Sequence, residues 1–253
     1  MLTTHHCVIL AAGNGSRLVS RSAGKPKPLM ELHGVPLLEH VMLAAQEAGV
    51  TDFTIVIGYC GDAIRRWVDK RTFAGISVSF VENTEYHKNN GISLLKARTE
   101  VHGPFLLLMS DHIFEASTSK ALLKQPLGDG EVILAVDPNL DEIFDLDDVT
   151  KVKRDGDHIV AIGKELVDYD AYDTGMFLCS PKVFDALEAA KKDGNCSLSD
   201  GMRRLGEAGK FRAFDIGDAR WQDVDTPEAL AYAATTFDNS FWTTLAAQEH
   251  ASV

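Results

Sequence analysis

A loop with two glycines follows the first apolar segment of the chain and limits the folds to which the chain can belong. Residues 6–12 predict a buried strand, and Gly13, Gly15 and Arg17 come next. Glycines let the backbone approach a polyphosphate closely, loop N–H groups can form an anion-binding nest, and arginine adds a fixed charge. A tight turn without a ligand also needs glycine. The loop is not a dinucleotide fingerprint, because Leu18 replaces the third glycine, and it lacks the Gly-Lys-Ser/Thr of a Walker loop.

The charge balance and the apolar runs argue against several functions. The 253 residues include 25 Lys and Arg against 37 Asp and Glu, and the net charge of -12 disfavours binding to nucleic acids and anionic membranes. The apolar run 105–109 is far shorter than the roughly 20 residues that span a bilayer. Residues 1–6 lack the pattern of a signal peptide, and the four cysteines lack zinc or disulfide spacings. We therefore expect a cytoplasmic protein with reduced thiols, no nucleic-acid partner and no membrane insertion.

Apolar β-rich segments alternate with helical patterns over most of the chain. Strands are predicted at 6–12, 53–57, 77–81, 105–110, 132–136 and 172–179, and helices at 36–48, 62–70, 92–98 and 117–123. The alternation is typical of a mostly parallel sheet flanked by helices. An Asp-Gly turn within 154–157 predicts a small β-hairpin of 151–153 with 158–162. Ser180-Pro181 and Thr226-Pro227 each predict a helix start, because a capping hydroxyl precedes a proline at the first helical position.

A lysine flanked by prolines follows the glycine loop. The prolines around Lys27 stiffen the backbone, so this side chain can reach back over bound phosphates, although such a segment can also be a solvated loop. The order of glycine loop, Arg17, Lys27, the segment 29–36 and a helix resembles the nucleotidyltransferase family that activates sugar phosphates and related compounds. The resemblance extends to about Ala234. It implies a GT-A-like, Rossmann-related α/β fold and transfer of a nucleotidyl group from a nucleoside triphosphate with release of pyrophosphate.

Two aspartates match the metal carboxylates of that family. Asp111 follows the predicted strand 105–110, and Asp225 lies just before Thr226-Pro227. One aspartate at a strand end is commonly a cap or turn residue, but two at the family's spacing imply an Mg²⁺ site, since Mg²⁺ prefers oxygen ligands. The resemblance makes Arg17 and Lys27 the catalytic residues, with Arg17 on the β- and γ-phosphates and Lys27 on the α-phosphate. The segment 223–225 also has the Asp-x-Asp spacing of glycosyltransferases, but it comes too late in the chain to follow the middle strand.

An asparagine-rich segment indicates the nucleotide. Asn83, Asn90, Gly91 and Ser93 resemble the segment that lies along the base and ribose in cytidylyltransferases of this superfamily, and a capped helix start is the structural alternative. Amides suit a pyrimidine edge because each offers donors and an acceptor. The resemblance therefore implies CTP. The complete predicted nucleotide-binding set is Leu10, Ala11, Ala12, Gly13, Asn14, Gly15, Ser16, Arg17, Lys27, Asn83, Asn90, Gly91, Ser93 and Asp111.

The segments 109–112, 150–153, 162–164 and 173–177 are most similar to CTP:inositol-1-phosphate cytidylyltransferases. That resemblance implies that Lys164 contacts the acceptor phosphate and that Asp173 accepts polyol hydroxyls, with Lys151, Thr174 and Gly175 beside them. Solvated strand-end lysines are the alternative for Lys151 and Lys164, and Asp173 would also suit a sugar. The known inositol enzymes are often fused to a membrane-embedded phosphotransferase. No such segment is found here, so we expect a separate membrane phosphotransferase to use the product.

Several related functions remain open from the sequence. The acceptor could instead be a sugar-1-phosphate, phosphocholine or a phosphonate, because the chemistry is shared and only the acceptor pocket differs. A non-catalytic nucleotide-binding homologue is disfavoured, because the predicted catalytic and metal residues are all present. The length fits a single domain over 1–253. We expect 1–136 mainly to bind the nucleotide, 137–236 mainly to bind the acceptor, and 237–253 to form a C-terminal tail helix.

Overall fold

The computed structural model describes residues 4–15, 25–141 and 149–237. Its strands are β1 His6–Ala11, β2 Glu31–Leu32, β3 Val35–Pro36, β4 Asp52–Ile57, β5 Ser77–Glu82, β6 Phe105–Met109, β7 His112–Phe114, β8 Val132–Asp137, β9 Lys151–Asp155, β10 His158–Gly163, β11 Ala171–Cys179, β12 Phe211–Asp215 and β13 Trp221–Asp223. Its α-helices are α1 Leu37–Glu47, α2 Gly61–Asp69, α3 Asn90–Lys96, α4 Ala116–Leu122, α5 Val183–Ala190, α6 Leu198–Glu207 and α7 Pro227–Thr236. Short 3-10 helices cover Lys27–Leu29 and Ala97–Glu100.

A large mixed sheet forms the centre of the fold. Its strand order is β5-β4-β1-β6-β11-β8-β12-β10-β9. The strands β5, β4, β1 and β6 run parallel, as β12 does with β8, whereas β11 is antiparallel to β6 and β8. The predicted mostly parallel sheet therefore describes the first half of the chain, and the later strands add antiparallel pairs. Carboxyl ends of parallel neighbours meet at one edge, which is where open α/β sheets bind ligands.

Both faces of the sheet are buried under helices. Along β1, Val8 and Leu10 belong to one apolar cluster, while Cys7 and Ile9 belong to the cluster on the opposite face. Successive side chains of a strand point to opposite faces, so a continuous apolar run is required when helices cover both. The sequence of β1 is therefore explained by its central position in the sheet.

Two smaller pairings matter for the site. The predicted hairpin is confirmed as antiparallel pairing of β9 with β10, and Gly156 in its turn has a φ of +61°. A separate two-stranded sheet joins β13 to β7, with Trp221 opposite Phe114 and Asp223 opposite His112. The sequence analysis did not identify this second sheet.

The two predicted helix starts had different outcomes. Thr226 caps α7 as expected, because its side chain accepts a hydrogen bond from the Ala229 N–H and Pro227 is the first helical residue. The start predicted at Ser180 is wrong, since α5 begins at Val183. Ser180 instead pairs its backbone N–H with the Glu131 carbonyl, in continuation of the sheet, and its buried hydroxyl makes no cap.

The tail helix predicted from the sequence lies almost wholly outside the described residues. Of the predicted tail helix 237–253, only Phe237 is among the described residues, and it is buried beside Leu32, Ile113 and Val224. No helix in the described ranges combines the length and the hydropathy that crossing a membrane would need.

Candidate active site

A cavity of about 420 Å³ opens where β1 and β6 end. Most of the predicted site residues line it: Leu10, Ala11, Ala12, Gly13, Asn14, Gly15, Lys27, Asn90, Ser93, Asp111, Lys164, Asp173, Gly175 and Asp225. Four predicted residues are not in its lining: Asn83, Gly91, Lys151 and Thr174. Ser16 and Arg17 lie outside the described residues.

The glycine loop packs directly against Lys27. Gly15 has a φ of +54°, and a Cβ on it would lie 2.7 Å from Cβ and 3.3 Å from Cδ of Lys27. Any larger residue would collide with the lysine stem and would also be strained in this conformation. Glycine at this position therefore allows two segments of the site to approach each other closely, and it also allows the turn.

Lys27 is buried at the head of a short 3-10 helix, and its ammonium joins the two predicted metal carboxylates. The side chain is 5% exposed. Its Nζ donates hydrogen bonds to Asp111 Oδ2 at 2.6 Å and to Asp225 Oδ1, and Asp223 Oδ1 lies 3.8 Å away. Three segments that are far apart in sequence thus meet at one point.

The small sheet of β7 and β13 explains how Asp111 and Asp225 come together. Asp111 lies between β6 and β7, and Asp225 follows β13 by two residues. The Val224 N–H donates to the Asp111 carbonyl at 3.0 Å, which extends the pairing toward the site. The backbone pairing therefore brings the two carboxylates close together.

His112 and Asp223 belong to the site and were missed in the sequence. His112 Nδ1 is 2.9 Å from Asp111 Oδ1, and its ring stacks on Trp221 with centroids 6.0 Å apart. Trp221 is itself fixed by its Nε1–H bond to Asp137 Oδ2 at 2.7 Å. The available signal was the Asp-x-Asp spacing, because residues i and i+2 of an extended segment lie on one face.

The ionisation of this cluster follows from burial and close opposite charges. Burial alone would raise the pKa of Asp111, but the charge of Lys27 and the bond with His112 hold it well below its usual value. Burial opposes the charge of Lys27, yet Asp111, Asp223 and Asp225 together raise its pKa. Burial raises the pKa of Asp223 to about 6. Burial opposes the charge of His112, yet Asp223 and Asp111 together raise its pKa to about 9.

The donor set fits a divalent cation. Ligand atoms of Asp111, His112 and Asp223 all lie within 4.8 Å of one another. Asp223 Oδ1 is buried without a hydrogen-bond partner among the described residues, which leaves one oxygen available inside the cluster. Mg²⁺ is a small cation that prefers oxygen ligands such as these carboxylates.

The acceptor-side residues divide into two groups. Asp173 and Lys164 line the cavity, and Asp173 Oδ1 accepts a hydrogen bond from the Gly175 N–H at 2.8 Å. Burial raises the pKa of Asp173 to about 6. Thr174 instead points away, with its hydroxyl donating to the Ala135 carbonyl at 2.8 Å, and Lys151 Nζ donates to the Lys164 carbonyl at 3.0 Å. Neither residue lines the cavity. Each bonds instead to a backbone carbonyl, and for Lys151 that carbonyl belongs to Lys164 in the cavity lining.

Gly175 is required by its contact with His112. Its φ is +76°, and a Cβ on it would lie 2.5 Å from His112 Cδ2 and 2.9 Å from Nε2. The glycine sits where the pairing of β11 with β8 shifts register, between Asp173 and Phe177. The imidazole is thus held between Asp111 and Gly175.

The asparagine segment has a structural role in part. Asn83 is completely buried, its Nδ2 donates to Ser93 Oγ at 3.0 Å, and its Oδ1 accepts from the Glu85 N–H at 2.9 Å. Its amide is therefore used inside the protein, and the pyrimidine contact expected of it has no support in its position. Ser93 and Asn90 do line the cavity.

The same segment is fastened to the start of α6. Asn90 Oδ1 accepts from the Leu198 N–H at 2.9 Å, and the Asn89 N–H donates to Asn195 Oδ1 at 3.0 Å. A Cβ on Gly91 would lie 2.7 Å from the Cys196 carbonyl oxygen. Gly91 is thus needed for close backbone contact, and the segments 89–91 and 195–198 form one unit beside the cavity.

Comparison with known proteins gives a consistent result. Residues 7–209 match the model of the MobA-like NTP transferase domain family. The bifunctional IPC transferase and DIPP synthase of Rubrobacter xylanophilus is 34% identical over 224 residues, which make up 88% of this chain and 49% of that protein. This chain thus spans about half the length of the curated relatives it matches.

Solved structures agree on the fold. The inositol-1-phosphate CTP transferase from T. maritima has a TM-score of 0.81 at 26% identity, over 92% of this chain and 96% of that chain. A UDP-glucose pyrophosphorylase complexed with UDP-glucose has a TM-score of 0.78 at 17% identity, over 92% and 97%, which is a likeness of fold alone. The resemblance drawn from the motifs and the predicted GT-A-like α/β fold are both confirmed.

Proposed function

Because the chain belongs to the MobA-like NTP transferase domain family, we propose that it is an Mg²⁺-dependent cytidylyltransferase that transfers CMP from CTP to inositol-1-phosphate, giving CDP-inositol and pyrophosphate. The observation that carries the proposal is the meeting of Lys27 with Asp111 and Asp225 beside the glycine loop. A buried ammonium and a pair of carboxylates, beside a loop at the carboxyl end of a parallel strand, are suited to a polyphosphate with its metal.

The reaction needs alignment and charge neutralisation more than proton transfer. The acceptor is a phosphate monoester that is already anionic at neutral pH, so its oxygen attacks the α-phosphorus without a general base. The new P–O bond forms as the bond to the β-phosphate breaks, and pyrophosphate leaves. Backbone N–H groups of the loop 12–15 bind phosphate oxygens, and Lys27 offsets the charge that grows on the α-phosphate.

The metal would be held by the acidic cluster. Asp111 and Asp223, from the compact cluster with His112, would offer oxygen ligands, and so would Asp225, which shares the Lys27 ammonium with Asp111. His112 would orient Asp111 through its Nδ1. When bound, Mg²⁺ supplies positive charge to the phosphate oxygens of both substrates. The role of Arg17 on the β- and γ-phosphates remains a prediction from the family resemblance.

The acceptor is proposed to lie against Asp173 and Lys164. A carboxylate with a raised pKa and one oxygen bonded to the backbone can accept hydroxyl hydrogens with its other oxygen, and Lys164 can pair with a phosphate. In this division of the single domain, residues 1–136 mainly bind CTP and residues 137–236 mainly bind the acceptor.

Pyrophosphate release tests the function directly. We expect turnover when CTP is combined with inositol-1-phosphate, and little with UTP, ATP or GTP. Turnover of CTP with an aminophosphonate, phosphocholine or a hexose-1-phosphate, and none with inositol-1-phosphate, would replace the acceptor and leave the nucleotidyltransferase assignment standing. No pyrophosphate with any pair would make the chain a nucleotide-binding homologue without activity.

Asp173→Ala tests the acceptor pocket in particular. It should raise KM for inositol-1-phosphate with a smaller effect on KM for CTP, because only the acceptor side loses a hydroxyl partner. Asp168→Ala is the matched control, since Asp168 lies just before the strand β11 that carries Asp173, but its side chain is 82% exposed and pairs with Lys153. Equal effects of the two variants on KM for inositol-1-phosphate would mean that Asp173 does not contact the acceptor.

A further inference from the structure

We propose that Lys27 occupies the place of the divalent cation in the nucleotide-free protein, so that the site takes up the ion together with the nucleotide and not the free ion alone. This inference rests on the proposed function in one respect, that a nucleoside triphosphate binds at the glycine loop. It concerns what the lysine does before that happens.

The first support is that one ammonium uses the oxygens that a metal would need. Lys27 Nζ donates to Asp111 Oδ2 at 2.6 Å and to Asp225 Oδ1, which belong to two of the three carboxylates proposed to hold the metal. A divalent cation on the same oxygens would lie close to the ammonium, and two positive charges at that separation repel strongly. The lysine and the ion therefore compete for one position.

The second support is the net charge of the cluster. Three carboxylates, from Asp111, Asp223 and Asp225, face each other with side chains only 22–34% exposed. Like charges in partly buried positions are costly unless a positive charge lies among them. Lys27 supplies positive charge through its bonds to Asp111 and Asp225, and His112 adds to it from 2.9 Å at Asp111 and 3.7 Å at Asp223, so these two side chains offset the carboxylates before an ion binds.

The third support is the surroundings of the lysine. Lys27 is 5% exposed, and its stem packs on Gly15 of the phosphate-binding loop. A free ion that displaced Lys27 would leave a buried ammonium without its carboxylates, which is unfavourable. A metal–triphosphate complex removes this difficulty, because it gives the carboxylates a cation and gives the ammonium a phosphate in the adjoining loop. The flexible four-carbon stem of lysine allows such a change of partner.

Mn²⁺ binding to the nucleotide-free protein tests the exchange. Lys27→Met removes the competing charge, so we expect it to bind free Mn²⁺ at least about tenfold more tightly than the wild type, measured by electron paramagnetic resonance or calorimetry. The same variant should have lost its turnover. Lys25→Met is the matched control, because Lys25 is exposed and pairs with Glu31 at 2.6 Å, and its Mn²⁺ affinity should equal that of the wild type.

Three results would overturn the proposal: Lys27→Met binds Mn²⁺ no more tightly than the wild type, Lys25→Met gains as much, or Mn²⁺ alone raises the Tm of the wild-type protein as much as Mn²⁺ with a non-hydrolysable CTP analogue. The last measurement needs no variant, so it decides the question even if Lys27→Met does not fold. None of them uses an acceptor or turnover. Tighter Mn²⁺ binding by Lys27→Met would therefore stand even if the acceptor or the transfer activity were assigned wrongly.

Discussion

Replacing Gly175 by alanine is the sharpest test of how the site is packed. Its φ of +76° is unfavourable for alanine, and the new Cβ would lie 2.5 Å from His112 Cδ2. The imidazole cannot easily yield, because it stacks on Trp221 and bonds to Asp111. The added methyl group must therefore displace either the backbone around Gly175 or the imidazole that bonds to Asp111.

The magnitude follows from two separate costs. A left-handed φ costs alanine roughly 1–2 kcal/mol, and overpacking a closely packed position typically costs about 1–3 kcal/mol. We therefore expect Gly175→Ala to lower the free energy of unfolding by about 2–5 kcal/mol. For a chain of this size each kcal/mol of lost stability lowers Tm by about 2–4 °C, which gives a fall in Tm of roughly 4–20 °C.

Gly75→Ala is the control that separates the two costs. Gly75 has a φ of +75°, and a Cβ there would meet nothing within 4 Å. This variant should lose only the roughly 1–2 kcal/mol of the backbone cost. Thermal and urea unfolding followed by circular dichroism measure both variants. Equal losses for Gly75→Ala and Gly175→Ala would refute the packing of His112 against Gly175.

Four further variants test other parts of the molecule. Asp225→Asn should lower kcat by several orders of magnitude with an unchanged circular dichroism spectrum, because the metal loses a ligand. Asn83→Ala should cost about 2–4 kcal/mol of stability in urea unfolding, because it leaves Ser93 and a backbone N–H without partners, and it should not alter the choice between CTP and UTP. Asp173→Asn should raise the Tm above about pH 6, since a raised folded-state pKa makes the buried charge destabilising there, and the gain should vanish as the pH falls toward about 4. Thr226→Ala should cost about 1 kcal/mol through loss of the helix cap, as measured by urea unfolding.

The parts of the site that could be predicted from the sequence are those carried by short segments. The glycine loop after β1, Lys27 between prolines, and Asp111 after a buried strand each combine residue type with local position. Local patterns of this kind do not depend on the rest of the fold. For that reason the predicted strands and most of the predicted helix positions agree with the observed elements, and Lys27, Asp111 and Asp225 line one cavity.

The parts that could not be predicted depend on long-range pairing and on burial. His112 and Asp223 face each other only because β7 pairs with β13, which is more than a hundred residues away along the chain. Asn83 has the residue type of a base-binding amide, but its burial commits the amide to Ser93 and the backbone. Ser180 has the pattern of a cap, yet its backbone continues the sheet beside Glu131. Residue type shows what a side chain can bind, and the tertiary fold determines which partner it reaches.

The fastening of 89–91 to 195–198 bears on attempts to transplant specificity between relatives. Gly91 tolerates no side chain against the Cys196 carbonyl, and Asn90 supplies the acceptor for the first N–H of α6. If only one of these two segments were exchanged for that of a relative, it would pack against a segment whose backbone fits the original sequence. Recombination that aims at a new substrate should therefore move both segments together, although more than a hundred positions separate them in the gene.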